Sequence, residues 1–145
     1  MYTRYMDNAA IQTRLRSAGL RATRPRIVIL QKLGAATSPL SVDEIFRSLS
    51  RSPIDRVTIY RTLEHFIRVR LVRAVDLKRD AKLYELQDEH DHHHLVCVDC
   101  GTTEDFTGCN IETIAQKALK KSSHFAAISD HSLELFGRCN ACTSA

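Results

Sequence analysis

Apolar residues recur every three or four positions through the first half of the chain and then give way to short alternating runs. Ile11, Leu15 and Ala18 share one helical face, which predicts a helix over 8–18 that stops at Gly19. Thr23-Arg24-Pro25 has the form of an N-cap followed by a first-turn proline. The helix it opens carries Ile27, Ile29, Leu30 and Leu33 and should stop at Gly34. Ser41 and Glu44 have the spacing of a capping box, in which each side chain satisfies the other's free backbone N–H. Val42, Ile45, Phe46 and Leu49 then form one apolar face, and Pro53 breaks that helix. A further helix over 55–70 has Ile59, Leu63, Phe66 and Ile67 as its stripe, with Tyr60, Arg61, Glu64 and Arg68 mostly off it. Two β-leaning runs, 71–77 and 82–86, flank a charged turn at Lys78-Arg79-Asp80.

Helices followed by a two-stranded wing are the layout of a winged helix-turn-helix, whose helix before the wing enters the major groove of DNA. The polar, acidic stretch 87–91 marks a domain boundary. Beyond it, 95–98 and 102–106 predict a hairpin turned around Cys100-Gly101. Residues 111–121 predict a helix with Ile111, Ile114, Ala115, Ala118 and Leu119 inward, and 125–136 predicts one or two further strands. The expected class is α+β, with a winged-helix domain over 1–87 and a small α/β lobe over 88–145. That lobe is too small for a large core, so a stapling metal would help it fold.

A chain of 145 residues holds one ordinary domain or two small ones. It has no run of 18 apolar residues, and its first six residues lack an apolar signal core, so a cytoplasmic protein without a membrane span is expected. Thiols stay reduced there, which favours metal or redox roles for cysteine pairs over disulfides. The net charge of +4 is divided unevenly. Residues 1–88 carry 17 Lys/Arg against 9 Asp/Glu, and residues 89–145 carry 4 against 8. The basic half suits a polyanion such as DNA; the acidic, His- and Cys-rich half suits cations.

Two CxxC pairs, Cys97/Cys100 and Cys139/Cys142, are separated by 38 residues. Four thiolates complete a closed tetrahedral zinc shell, which holds structure and leaves no open position. A redox dithiol would need one such pair in a βαβ setting, which is missing. Cys109 is left over and is expected to be a bystander thiol. His90-Asp91-His92-His93-His94 comes just ahead of the first pair. In a strand continuing to Leu95, His92 and His94 face one way and Asp91 and His93 the other, so one run can feed two metal sites. Imidazoles suit Zn, Fe, Mn, Ni and Co, and added carboxylates shift preference toward Fe(II) and Mn(II). Glu85, Asp105, Glu112, His124 and His131 are further donors whose odds rise only in company.

Arg21, Arg24 and Arg26 cluster at the second helix start, and Arg56, Arg61, Arg68, Arg70 and Arg73 at the helix before the wing and in the wing. Such residues pair with phosphates or fork onto guanine, and the ring of Tyr60 suits a thymine methyl. A zinc hydrolase or deaminase is disfavoured, because HExxH and the H-x-E with PCxxC signature are both missing. A metal store that never touches DNA is opposed by the basic first half.

The ordered set 19–26 (GLRATRPR), 58–63 (TIYRTL), 84–86 (YEL), 92–101 (HHHLVCVDCG), His131-Ser132-Leu133 and 137–142 (GRCNAC) resembles the ferric uptake regulator superfamily over nearly the whole chain. The resemblance implies a dimeric, metal-activated repressor whose winged helix binds palindromic double-stranded operators and whose C-terminal lobe dimerises. The implied DNA contacts are Arg21 toward the minor groove and Thr58, Tyr60 and Arg61 on the recognition helix. The implied structural zinc is held by Cys97, Cys100, Cys139 and Cys142. A regulatory hinge site for Fe2+, Zn2+ or Mn2+ maps to Glu85, His92, His94 and Asp105. A second site in the lobe maps to Asp91, His93, Glu112 and His131. Iron uptake is the implied regulon; zinc, manganese and peroxide sensing are its alternatives within the superfamily. Two departures stand out. Pro39-Leu40 occupy the place where many iron-type members carry a hinge histidine, and the usual His-x-Asp order of the second site is Asp91-x-His93 here.

Overall fold

The computed structural model describes residues 6–78, 80–87 and 92–144. The chain forms two compact units, Met1–Glu89 and His90–Ala145. Among the described residues no helix is long and apolar enough to cross a membrane.

The first unit is built on four helices. Helix α1 (Asn8–Ser17) starts where the Asp7 carboxylate accepts the Ala10 N–H at 2.7 Å. It ends in a Schellman turn: Gly19, at φ +76°, donates to the Arg16 carbonyl, and Leu20 to that of Leu15. Helix α2 (Arg24–Ala35) has Pro25 in its first turn, but the Thr23 side chain makes no capping hydrogen bond. The two-residue strand β1 (Leu40–Ser41) leads into α3 (Val42–Ser48). There the capping box is complete, with Ser41 N–H donating to Glu44 Oε2 at 2.7 Å and Glu44 N–H to Ser41 Oγ at 3.2 Å. Helix α4 (Arg56–Arg68) is capped by Asp55, whose carboxylate accepts the Thr58 N–H at 2.7 Å. That bond holds the Asp55 carboxyl below its usual range. α4 also ends in a Schellman turn, but with Arg70 in the left-handed position at φ +56°.

Strands β2 (Val72–Val75) and β3 (Leu83–Leu86) follow, and β1 joins them in an antiparallel sheet of order β1-β3-β2. The wing therefore has a third strand, which the hydrophobic pattern does not announce because two residues cannot show an alternation. Ile11, Leu15, Ile29, Leu30, Ile45, Ile59, Leu63 and Phe66 form one core with Val72, Tyr84 and Leu86 from the sheet. At about 1.5–3 kcal/mol per buried large apolar side chain, this core is the main stabiliser of the unit. Arg14 closes its end by donating to the Gln87 carbonyl at 2.7 Å.

The second unit is a sheet of order β5-β4-β6 with α5 and a short α6. β4 (His93–Cys97) is central, antiparallel to β5 (Thr103–Phe106) and parallel to β6 (Glu134–Gly137). β4 starts at His93, two residues earlier than the sequence pattern suggests, and the segment 125–133 contributes no strand. Helix α5 (Ile111–Lys121) has the expected bounds, but none of its residues is buried and Ile114 is 59% exposed. Ile111, Ala115 and Leu119 are half-buried while Ile114 and Ala118 are exposed, so the inward packing expected of its apolar face is only partial. Among the described residues Val96 and Cys97 are the only buried apolar residues of this unit, beside the three buried histidines His92, His93 and His94. Helix α6 (Asn140–Thr143), not expected, follows Cys139.

Ser41→Ala should lower the stability of the first unit by about 1 kcal/mol, since the hydroxyl that accepts the Glu44 N–H is lost while the Ser41 backbone N–H keeps its bond to the Glu44 carboxylate. Thr23→Ala, which removes no capping bond, should cost clearly less. Urea denaturation of the two variants side by side checks the ranking.

Candidate metal centres and nucleic-acid surface

Strand pairing assembles the four cysteines. Cys97 ends β4, and a turn closed by the Gly101 N–H on the Cys97 carbonyl (2.9 Å) brings Cys100 back. Gly101 sits at φ +74°, where glycine is favoured. The parallel register sets Gly137 of β6 against Cys97, which delivers Cys139 to the same end of the sheet. One turn of α6 then presents Cys142. All four sulfurs lie within 4.8 Å of one another, and Cys100 Sγ is 3.7 Å from Cys139 Sγ. Thiolates at 2.3 Å from a tetrahedral zinc would be about 3.8 Å apart, so the spacing fits that ion, whereas a disulfide requires about 2.05 Å. Arg138 and Asp99, at 2.9 Å, tie the two cysteine-bearing loops together.

The thiols are electrostatically unequal. Backbone N–H groups of Cys100 and Cys139 pull the Cys97 thiol down to about 6, the latter donating to Cys97 Sγ at 3.3 Å. The Thr102 hydroxyl, 3.2 Å from Cys100 Sγ, lowers Cys100 as well. Cys142 is pushed up to about 12, first by its hydrogen bond to Cys139. The cluster thus offers an anionic sulfur at Cys97, favours ionisation of Cys100, and retains a proton at Cys142 until a cation displaces it.

The histidine run divides as strand geometry requires. The His92 and His94 rings meet edge to face at 5.3 Å, and His94 Nε2 lies 3.7 Å from Asp105 Oδ1 on the facing strand. His93 points the other way, with its ring 5.3 Å from Phe106 and 5.1 Å from His131. Its Nε2 is 2.8 Å from Cys109 Sγ and 3.4 Å from His131 Nε2. Cys109 therefore stands within a cluster of donors, correcting its expected role as a bystander. Of the residues mapped to the second site, His93 and His131 are together. Glu112 is exposed on the first turn of α5 and does not join them, and Asp91 lies outside the described residues. Spacing alone could not single out Cys109; the one clue was a fifth thiol left over from two complete pairs. Glu85 belongs to the first unit, where it is paired with Arg73 directly across the β2–β3 ladder. His124 is exposed and in no such group.

On the first unit, α4 buries Ile59, Leu63 and Phe66 and turns Val57, Tyr60, Arg61 and Glu64 to solvent. Tyr60 is half exposed and Thr58 partly buried. Arg21 is exposed in the loop between α1 and α2, where its carbonyl accepts from Arg26. Two arginines of the basic set are in ion pairs on the protein: Arg56 pairs with Asp43 and lies 4.1 Å over the Phe46 ring, and Arg73 pairs with Glu85. The first ties α4 to α3, and the second ties β2 to β3.

Zinc uptake by metal-free protein should weaken as pH falls, because Cys142 must release its proton, and more steeply below about 6. Cys97 has a depressed pKa, so its thiolate interactions are present above the ordinary thiol range and lost on protonation near that value. Competition titration with a chromophoric chelator between pH 5 and 8 measures the slope; a flat profile would contradict this assignment.

The family model described as Ferric uptake regulator family matches residues 17–136. The ferric uptake regulation protein of Legionella pneumophila is 37% identical over 131 residues, which span 88% of this chain and 95% of that protein. The Pseudomonas aeruginosa ferric uptake regulator, solved with manganese, is 30% identical with a TM-score of 0.70, over 90% of this chain and 98% of that one. The Helicobacter pylori regulator shares the fold with a TM-score of 0.78 at 23% identity, over 99% of both chains.

Proposed function

From the premise that the chain belongs to the ferric uptake regulator family, we propose that it is a metal-dependent repressor of metal-ion uptake genes, most directly those of iron. It works in the cytoplasm as a homodimer on double-stranded operator DNA, and not as an enzyme. The observation that carries this reading is the exposed Tyr60–Arg61 pair on a rigidly capped α4 in the basic unit. In the major groove Arg61 can fork onto guanine O6 and N7 while Tyr60 contacts a thymine methyl, and Arg21 reaches the minor groove. Thr58, whose N–H is held by Asp55, sits where the N-terminal end of α4 meets the DNA backbone.

The dimer is supported by the second unit's surface. Leu95, Val98, Ile114, Phe125, Ile128 and Leu135 are all exposed large apolar residues, more than a small monomeric unit ordinarily leaves in water. A second copy covers them and fixes two winged helices on half-sites about one helical turn, or a multiple, apart.

The four cysteines hold a structural zinc whose shell their spacing fits. The regulatory ion is held by Glu85, His92, His94 and Asp105, a mixed nitrogen and carboxylate set that suits Fe2+ or Mn2+ and also accepts Zn2+. When bound, the ion supplies bonds between residues on either side of the connection 87–91. Arg73 steadies the Glu85 carboxylate from the facing strand. His92 and His94 are buried and edge to face, so their ring positions are set before an ion arrives. Metal tunes repression only through tighter binding to the DNA-competent arrangement than to others. With Pro39-Leu40 in place of a histidine, the site draws on these four residues from 85–105.

His92→Ala with His94→Ala should abolish metal-dependent operator binding while keeping the fold and the cysteine-bound zinc. Fluorescence anisotropy with Fe(II), Mn(II) and Zn(II) under anaerobic conditions reads this out, and metal-dependent binding by the double variant would overturn the site. Arg61→Ala should cost about 1–3 kcal/mol on the operator and much less on random DNA. Equal losses on both DNAs would make Arg61 a phosphate contact only.

A further inference from the structure

His93, Cys109 and His131 come from three separate segments. His93 opens β4, Cys109 follows the Gly108 turn (φ +84°) between β5 and α5, and His131 precedes β6. Their ligand atoms nevertheless converge, with 2.8 Å from His93 Nε2 to Cys109 Sγ, 3.7 Å from Cys109 Sγ to His131 Nε2, and 3.4 Å between the two Nε2 atoms. Each of these three atoms, in the right tautomer and ionisation state, can ligate a cation. A proton can bridge one pair of them at a time, whereas a cation at the centre satisfies all three.

We propose that His93, Cys109 and His131 form a thiolate-containing metal site that takes zinc(II) in preference to iron(II) or manganese(II). Zinc held at about 2.0–2.1 Å by nitrogen and 2.3 Å by sulfur would set the nitrogens about 3.3 Å apart and each nitrogen about 3.6 Å from sulfur. The His93–His131 and Cys109–His131 distances already match, and only the His93–Cys109 pair must open. One sulfur and two imidazoles are a softer set than the histidines and carboxylates that the family resemblance assigns to a second site. Softness is what separates zinc from the harder iron and manganese ions. Glu112 stays on the surface of α5 and takes no part.

The placement also has a structural use. His93 and Cys97 are the two ends of β4, about 13 Å apart at 3.3 Å per residue. The site would close the end of the sheet opposite the four cysteines, in a unit where Val96 and Cys97 are the only buried apolar residues among those described. The inference stands apart from the regulatory reading, since it concerns metal uptake by the second unit and not DNA.

The test uses the full chain with its four-cysteine site filled with zinc and labile metal removed. Cobalt(II) is then titrated as a spectroscopic probe. One equivalent should develop the intense near-ultraviolet sulfur-to-cobalt charge-transfer band. Cys109→Ser should lose that band, and the His92→Ala, His94→Ala double variant should keep it. A wild-type titration without the band, or a band of unchanged intensity in Cys109→Ser, overturns the proposal. A measurement on the wild type needs no variant to fold: zinc(II) should slow iodoacetamide alkylation of Cys109, located by peptide mass spectrometry, at least tenfold. Equal rates with and without zinc also overturn it.

Discussion

Four sulfurs within 4.8 Å of one another are the constraint on which the second unit depends. Val96 and Cys97 are its only buried apolar residues among those described, and α5 buries nothing. A unit of this size cannot offset its chain entropy with so little apolar burial. Bonds from a metal to residues at both ends of the unit would replace what a core contributes. They would also hold β6, parallel to β4 and reached through α5, in register at Cys97.

The first unit is stabilised by different physics. Helices α1, α3 and α4 are locally capped and close with α2 around Phe66, Leu63, Ile59 and their neighbours. That rigidity matters for recognition. Asp55 and the Schellman turn at Arg70 fix both ends of α4, while Arg56 stacked on Phe46 and paired with Asp43 ties α4 to α3. A helix held in this way presents Tyr60 and Arg61 with little ordering left to do on binding, which is where affinity is otherwise lost.

The histidine run joins these themes through the geometry of a strand. His92 and His94 share one side with Asp105, and His93 goes to the other with Cys109 and His131. Three consecutive imidazoles thus serve two surroundings of different softness, one carboxylate-rich and one containing sulfur. Ions that differ in preference for oxygen and sulfur can be sorted between them.

What the sequence by itself determined was local. Helical periodicity marked α1 to α5, the capping box at Ser41 and Glu44 was legible in the residue types, and the period of two assigned His92 and His94 to one side and His93 to the other. Each of these signals is carried by residues within four positions of one another. Tertiary structure decided the rest. It paired the two residues of β1 with β3, carried Cys139 back to Cys97, 42 positions earlier, and left the apolar face of α5 only partly covered. It also set Cys109 between His93 and His131, where nothing in the spacing of 93, 109 and 131 points to contact. Such pairings depend on chain closure and on which surfaces find partners, and neither is written in a local pattern.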